Sequence, residues 1–164
     1  MPAASEPIAV NTGPLIALSA CRCLDLLPRL HPRVVAAEAV LAEFLRGQPT
    51  EPGDLFVQPP WLEVCALATS PSPLLVRRLD AGEAATIALA SELRIQLVVI
   101  DERRGRAAAR LSGLRVTGSI GILLRAKREG LIAAIKPCLD SMQQAGMWQS
   151  QRLRSQALRE AGED

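Results

Sequence analysis

Side chains that bear carboxylate, amide or hydroxyl oxygens follow three of the apolar segments in this sequence. Those segments are residues 8–10, 97–100 and 114–117, and each is short and β-prone. The oxygen-bearing residues directly after them, or at their ends, are Asn11, Asp101, Glu102, Thr117 and Ser119. If these side chains share one location, they form an acidic, oxygen-rich site. With one histidine in the chain, a His–His metal centre is excluded and a His-based triad is disfavoured.

The elements that must position these residues alternate between strands and helices. Strands are predicted at 8–10, 33–36, 61–67, 97–100 and 114–117. Helices are predicted at 15–20, 24–27, 37–46, 80–93, 103–111, 119–128 and 133–144, with a proline-containing loop at 48–60. This alternation predicts an α/β protein with a parallel sheet covered on both faces. Right-handed crossovers place all strand carboxyl ends at one edge, where ligands bind.

Glu83 is expected at the same edge, because it begins the helix that precedes strand 97–100. Each of these residues also has a structural interpretation. Asp80-Ala-Gly-Glu83 fits a capping box, and Asp101 is a suitable N-cap for the helix that follows it. Ser119 is another possible cap, and Asn11 is a residue that turns favour. The predicted convergence favours a functional interpretation.

The charged residues of two predicted helices each allow a functional and a structural interpretation. Glu38 and Glu43 lie at opposite edges of the apolar face of helix 37–46, and periodicity does not choose between them. Arg103, Arg106 and Arg110 share one face of helix 103–111. Arginine donors are forked and suit phosphate, but a solvated helix face is the alternative.

Length and composition narrow the class of protein. The 164 residues fit one domain, which we predict at 1–146, followed by a helical arm at 147–164. A net charge of +2 argues against nucleic-acid wrapping by bulk charge, and 2% aromatic residues argue against an aromatic base-stacking platform. Cys21 and Cys23 are spaced C-x-C, whereas Cys65 and Cys138 are isolated, so a structural zinc site is not expected. No secretion signal or membrane span is expected either, which predicts a cytoplasmic protein.

Several motifs together resemble the PIN-domain superfamily, in particular the prokaryotic branch described as predicted nucleic-acid-binding proteins containing a PIN domain. The most specific are Gly82-Glu-Ala-Ala-Thr-Ile-Ala-Leu-Ala and Ile100-Asp-Glu-Arg-Arg-Gly-Arg. Supporting segments are Asn11-Thr-Gly-Pro-Leu-Ile, Leu24-Asp-Leu-Leu, Glu38-Ala-Val-Leu-Ala-Glu-Phe-Leu and Val116-Thr-Gly-Ser-Ile-Gly-Ile-Leu-Leu. The resemblance runs from about residue 8 to the end and implies a three-layer α/β/α fold with a mostly parallel sheet.

The resemblance also implies an activity and a set of site residues. The activity is Mg²⁺- or Mn²⁺-dependent endoribonuclease cleavage of single-stranded RNA, often by the toxin of a toxin–antitoxin pair. By position, the catalytic carboxylates are Glu43, Glu83 and Asp101. The metal ligands are these three with Asn11 and, as an uncertain neighbour, Glu102. The residues expected to bind substrate are Thr12, Arg103, Arg106, Thr117 and Ser119. A small antitoxin protein and a second copy of the chain are expected partners, through apolar surface on helices 24–27 and 37–45.

One residue departs from the family pattern, because Asn11 occupies a position that is normally Asp. An amide oxygen can ligate Mg²⁺ but adds no negative charge, so metal binding should weaken. The alternative hypothesis is therefore a PIN-fold module that binds nucleic acid or protein with weak or no catalysis. A dinucleotide-binding domain is disfavoured because Asn11-Thr-Gly-Pro replaces the glycine-rich fingerprint, and a phospho-receiver lacks its acidic pair.

Overall fold

Five short strands form a parallel sheet at the centre of the molecule. The computed structural model describes residues 5–47 and 58–164. Within them the strands are β1 (Ile8–Val10), β2 (Val34–Ala37), β3 (Leu62–Cys65), β4 (Leu97–Val99) and β5 (Arg115–Thr117). The order across the sheet is β3-β2-β1-β4-β5, and every neighbouring pair is parallel. The predicted α/β class with a parallel sheet is confirmed.

Helices flank this sheet and complete a three-layer arrangement. The helices of the described residues are α1 (Thr12–Ala20), α2 (Leu26–Leu30), α3 (Glu38–Arg46), α4 (Pro73–Arg78), α5 (Ala81–Leu93), α6 (Arg103–Leu111), α7 (Ser119–Arg128), α8 (Lys136–Gln144) and α9 (Gln151–Ala161). Helix α5 packs against β1, β2 and β4, and α6 packs against β5. Helix α1 contacts α7 and α8.

The central strands are buried on both faces, as their uniformly apolar sequences require. All residues of β1 and β2 are buried, and so are Val98 and Val99 of β4. Aliphatic side chains dominate the core around them, and Phe44 of α3 is the largest side chain that is fully buried there. The two-sided burial fixes the sheet between its helical layers and so fixes where its carboxyl edge lies.

The carboxyl edge is organised by β1 and β4, which are neighbours although far apart in the chain. Their register pairs Ile8 with Leu97 and Val10 with Val99. The pairing continues past the strands, since the Asn11 N–H donates to the Val99 carbonyl at 3.0 Å. The Ile100 N–H likewise donates to the Thr117 carbonyl at 2.9 Å. The chain leaves β1 towards β2 and leaves β4 towards β5, which makes this the topological switch point of the sheet.

Several element boundaries differ from the predictions. Helix α2 spans Leu26–Leu30 rather than ending near Pro28, because Pro28 is its third residue and first-turn N–H groups have no intrahelical acceptor. Helix α4 was not predicted. The loop prediction at 48–60 lies mostly outside the described residues, which resume at residue 58.

The expected interaction surface on helices 24–27 and 37–45 is a wrong prediction. Leu26, Leu27, Val40 and Phe44 are buried in the core of the single chain. Helix α2 packs on α7 and helix α3 packs on α5, so these buried side chains are not free for a partner. The periodicity that suggested a surface instead marks the core-facing side of each helix.

The C-terminal segment packs against the rest of the chain. Helix α9 contacts α7 and buries Ala157. After it, the Glu163 carboxylate accepts hydrogen bonds from Lys127 Nζ at 2.8 Å and from the Ile135 N–H at 2.7 Å. In the portions of the chain that the structure describes, no helix is both long and apolar enough to cross a membrane.

Core packing gives a matched pair of stability predictions. Leu89 of α5 is 1% exposed, whereas Leu111 at the end of α6 is 84% exposed. We expect Leu89→Ala to lower the free energy of unfolding by about 2–5 kcal/mol, through lost burial and a residual cavity. Leu111→Ala should change it by no more than about 0.5 kcal/mol. Urea unfolding of both variants tests this, and equal losses would contradict the packing described here.

Candidate functional site

Asp101 lies just after β4 and is held by the first residue of α7. Its two carboxylate oxygens accept hydrogen bonds from the Ser119 N–H and from the Ser119 hydroxyl, both at 2.7 Å. The expectation that Asp101 caps α6 is wrong, because Glu102 occupies that N-cap position and makes no side-chain capping bond. Ser119 is not a cap either, since Gly118 precedes it as the N-cap of α7. Asp101 is therefore fastened at the carboxyl edge while its side chain stays accessible.

Glu83 is buried at the start of α5, where it completes a capping box. The Asp80 carboxylate accepts from the Glu83 N–H at 2.8 Å, and the Glu83 carboxylate accepts from the Asp80 N–H at 3.2 Å. The capping-box interpretation is thus confirmed. Burial, followed by the negative charge of Asp80, raises the pKa of the Glu83 carboxyl, and Glu102 and Glu43 add to this effect. Glu83 therefore caps α5 and also lies near other carboxylates.

Glu43, and not Glu38, is the helix α3 carboxylate that faces the other site residues. Its Oε2 atom accepts a hydrogen bond from the Thr12 hydroxyl at 2.7 Å. Glu38 is exposed at the first position of α3. Thr12 itself is buried, so its contact with Glu43 joins the start of α1 to α3.

The carboxylates of Glu43, Glu83 and Asp101 each lie close to the backbone of a glycine. A Cβ atom placed on Gly82 would lie 2.6 Å from Glu43 Oε2, and one on Gly118 would lie 2.6 Å from Asp101 Oδ1. A Cβ on Gly105 would lie 2.9 Å from Glu83 Oε1. Real Cβ contacts are not this short, so larger residues at these three positions would push the carboxylates away. The glycines in the two most specific sequence motifs thus have a common physical role.

Asn11 contributes a buried oxygen that has no hydrogen-bond partner. It occupies the N-cap position of α1, but its side chain makes no capping bond. The residue is 4% exposed, and its Oδ1 atom is buried and unpaired. A buried acceptor without a donor costs about 1–3 kcal/mol. The expected role as a turn residue does not account for this oxygen, which is free to accept a donor or to ligate a cation.

The acidic residues are neighbours but do not form a compact cluster. Glu43 lies against Gly82, and Glu83 is electrostatically coupled to both Glu43 and Glu102. Within residues 5–47 and 58–164, however, no three carboxylates bring their oxygens within 4.8 Å of one another. Mg²⁺ usually keeps several waters and takes few protein ligands. The donor set of carboxylate and amide oxygens fits such a hard cation chemically.

A cleft of about 630 Å³ opens beside Asp101. Arg106, Thr117 and Ser119 line it, as does Glu102, while Thr12 and Arg103 are not among its lining residues. The Arg106 guanidinium is positioned by a hydrogen bond from Nη1 to the Ile100 carbonyl at 2.9 Å. The cleft thus combines acidic, cationic and hydroxyl groups, and its lining includes Asp101 but not Asn11, Glu43 or Glu83.

Sequence reasoning missed several other residues that line this cleft. They come from the C-terminal part of the chain and include Met142, Met147, Trp148, Gln149 and Leu153. The Trp148 side chain is 91% exposed. The sequence feature that could have drawn attention to Trp148 is that aromatic residues are rare, since the chain has only four. The predicted arm beginning at residue 147 therefore contributes to the cleft.

A doubly wound parallel sheet with an acidic carboxyl edge at its switch point defines a class of α/β proteins that bind ligands there. A family model described as PIN domain matches residues 7–163. The chain belongs to the PIN-domain family, a nuclease-like fold whose members generally depend on divalent metal ions and bind nucleic acids. Searches of curated proteins and of solved structures each gave no significant match.

The raised pKa of Glu83 predicts how its charge affects stability. The ordinary pKa is 4.5, and the folded state favours the protonated form. The folded wild type should therefore lose stability relative to Glu83→Gln as pH rises from below 4.5 through the raised pKa. Gln retains the capping-box acceptor. Urea unfolding in EDTA should show that the difference in the free energy of unfolding between wild type and Glu83→Gln grows from pH 4 to pH 7.

Glu92 provides the opposite control for that pH series. The Ala68 and Thr69 N–H groups donate to its carboxylate and lower its pKa from 4.5. Glu92→Gln should therefore cost stability above pH 4.5, and the cost should disappear as pH falls through the lowered pKa. A difference that is independent of pH for Glu83→Gln would contradict its raised pKa.

Proposed function

We propose that this PIN-domain protein is a metal-dependent endoribonuclease that hydrolyses phosphodiester bonds of single-stranded RNA. The observation that carries the proposal is the buried, unpaired Asn11 Oδ1 atom at the same sheet edge as Glu43, Glu83 and Asp101. A protein interior seldom leaves an acceptor unpaired without a reason. An oxygen-rich edge of this kind supports cation binding more readily than any purely structural role of the four residues.

The residues that would hold Mg²⁺ or Mn²⁺ are the four at this edge, with Glu102 as a further carboxylate beside them. When bound, such a cation supplies positive charge at the scissile phosphate and makes water a better nucleophile. The Thr12 hydroxyl orients Glu43, and Ser119 orients Asp101. These hydrogen bonds fix the direction in which the two carboxylates present their oxygens.

The cleft beside Asp101 is the proposed path for the RNA strand. Arg106 offers its guanidinium to phosphate, and Thr117 and Ser119 add hydroxyl groups near the same wall. Trp148 also lines the cleft and supplies one exposed aromatic face on which a base can stack. Arg103 is exposed at the first position of α6 and is the proposed contact for the strand outside the cleft.

The biological setting stays a prediction. We propose a toxin role with a small antitoxin protein as partner, a homodimer and a cytoplasmic location, as the family resemblance implies. The exposed Leu74 and Val76 of α4 are apolar side chains that such a protein partner can cover. They replace the surface on α2 and α3 that the structure shows to be buried.

Carboxylate variants test the nuclease proposal. We expect Glu43→Gln and Asp101→Asn each to reduce Mn²⁺-dependent cleavage of single-stranded RNA by about 100-fold or more, the scale of losing a preorganised electrostatic group. Glu38→Gln is the matched control, because it removes an exposed charge from the same helix as Glu43. It should leave cleavage unchanged. The nuclease assignment fails if the Glu43 and Asp101 variants cleave like the control.

Asn11 is the observation that favours a second candidate function, a PIN-fold binding module with weak or no catalysis. If Asn11 limits metal binding, Asn11→Asp should tighten Mn²⁺ binding by about 1 kcal/mol, which is about fivefold in Kd. Isothermal titration calorimetry measures this directly. Wild-type protein that binds no Mn²⁺ at millimolar concentrations, with binding restored in Asn11→Asp, would support the binding module over the nuclease.

A further inference from the structure

Three of the four cysteines meet at one point, although one is far from the others in the chain. The Cys23 and Cys138 sulfurs are 3.6 Å apart, and the Cys21 sulfur lies within 4.8 Å of both. Among the described residues, no other group of three His, Cys, Asp or Glu side chains comes this close. Cys138 is isolated from the other cysteines in the sequence, but helix α8 brings it to the C-terminal end of α1.

The two cysteines at the end of α1 are presented by a rigid turn. The Cys23 N–H donates to the Leu18 carbonyl at 2.8 Å and the Arg22 N–H donates to the Ser19 carbonyl at 3.0 Å, which is the Schellman pattern. Arg22 between the cysteines has a φ of 56°, in the left-handed region where a residue other than glycine is strained. The strained turn directs both thiols towards α8.

The spacing of the three sulfurs matches a metal ion with thiolate ligands. With a Zn–S distance of about 2.3 Å, tetrahedral coordination places sulfurs about 3.8 Å apart and trigonal coordination about 4.0 Å apart. The observed separations of 3.6 Å to at most 4.8 Å bracket these values. The three sulfurs therefore already lie close to the separations that one shared ion requires.

The surroundings suit a thiolate site with one open position. Cys138 is buried, whereas Cys21 is half-buried and is the part of the cluster that solvent can reach. Metal binding releases the thiol protons of the three cysteines to solvent.

We propose that Cys21, Cys23 and Cys138 bind one Zn²⁺ ion, with a solvent molecule as the fourth ligand. Soft sulfur ligands do not suit Mg²⁺ or Mn²⁺, so this site is chemically separate from the carboxylate edge. The ion joins the end of α1 to α8. Since Asn11 and Thr12 lie at the other end of α1, the site also stabilises the helix that carries them.

The test uses the full-length chain, reduced and stripped of metal, titrated with Co²⁺ and then with Zn²⁺. We expect one Co²⁺ per chain, with thiolate-to-cobalt charge transfer in the ultraviolet and intense visible bands of tetrahedral coordination. Zn²⁺ should displace the Co²⁺ and raise Tm. It should also protect three of the four thiols from a thiol reagent.

Serine variants identify the ligands, and Cys65 provides the matched control because it lies in β3 outside the cluster. Cys21→Ser and Cys138→Ser should weaken Co²⁺ binding by more than about 100-fold, since even loss of a group that hydrogen-bonds to a metal ligand costs about 10–100-fold. Cys65→Ser should bind like wild type. If Cys138→Ser does not fold, Cys21→Ser decides, because Cys21 is half-buried.

Three results would overturn the proposal. The first is Co²⁺ binding without thiolate charge transfer. The second is a Cys65→Ser variant that loses binding as much as the cluster variants do. The third is reduced protein that binds neither Co²⁺ nor Zn²⁺. None of these outcomes affects the carboxylate site, whose test is Mn²⁺-dependent cleavage.

Discussion

The pairing of β1 with β4 is the constraint on which the site depends. These strands are about ninety residues apart in the chain, yet they are hydrogen-bonded neighbours whose following segments diverge. The divergence leaves a gap at the carboxyl edge, and the residues that follow each strand, Asn11 and Asp101, flank it. Glu83 reaches the same edge because its helix runs antiparallel to β4. A shift of β4 by one residue would turn its side chains to the other face and move Asp101 with them.

Hydrogen bonds and close backbone contacts then fix the carboxylates in place. Thr12 holds Glu43, the Asp80 N–H holds Glu83, and Ser119 holds Asp101. Each carboxylate also lies against a glycine that leaves room for it. The site therefore has two unfavourable features, the unpaired Asn11 oxygen and the raised pKa of Glu83, although its carboxylates are hydrogen-bonded. Such features are expected where a bound cation would stabilise both groups.

Much of the fold follows from the sequence because hydrophobic pattern and capping agree at most elements. Helix α5 begins after Asp80 and ends at Leu93 as predicted, and Gly47 follows α3. Helix α4 escaped prediction because it buries no residue, so it lacks the apolar periodicity that identifies a helix.

Part of the candidate site was also predictable, because of the topology of the sheet rather than the hydrophobic pattern. Convergence at one edge follows from parallel topology alone, which brings Asn11 and Asp101 together. The choice of Glu43 over Glu38 needs the Thr12 contact, and the contribution of Trp148 needs the path of the C-terminal chain. The cysteine cluster depends on how α8 docks on α1, which local sequence cannot specify because the contact spans 115 residues.

The most direct test of the central claim is the position of Mn²⁺ in a crystal of the protein, located by anomalous scattering. The account predicts a peak at the carboxyl edge between β1 and β4, within ligand distance of Asn11 Oδ1 and of at least one of the Glu43, Glu83 and Asp101 carboxylates. Crystals soaked in millimolar Mn²⁺ that show no peak at this edge, or a peak only elsewhere on the molecule, would contradict it.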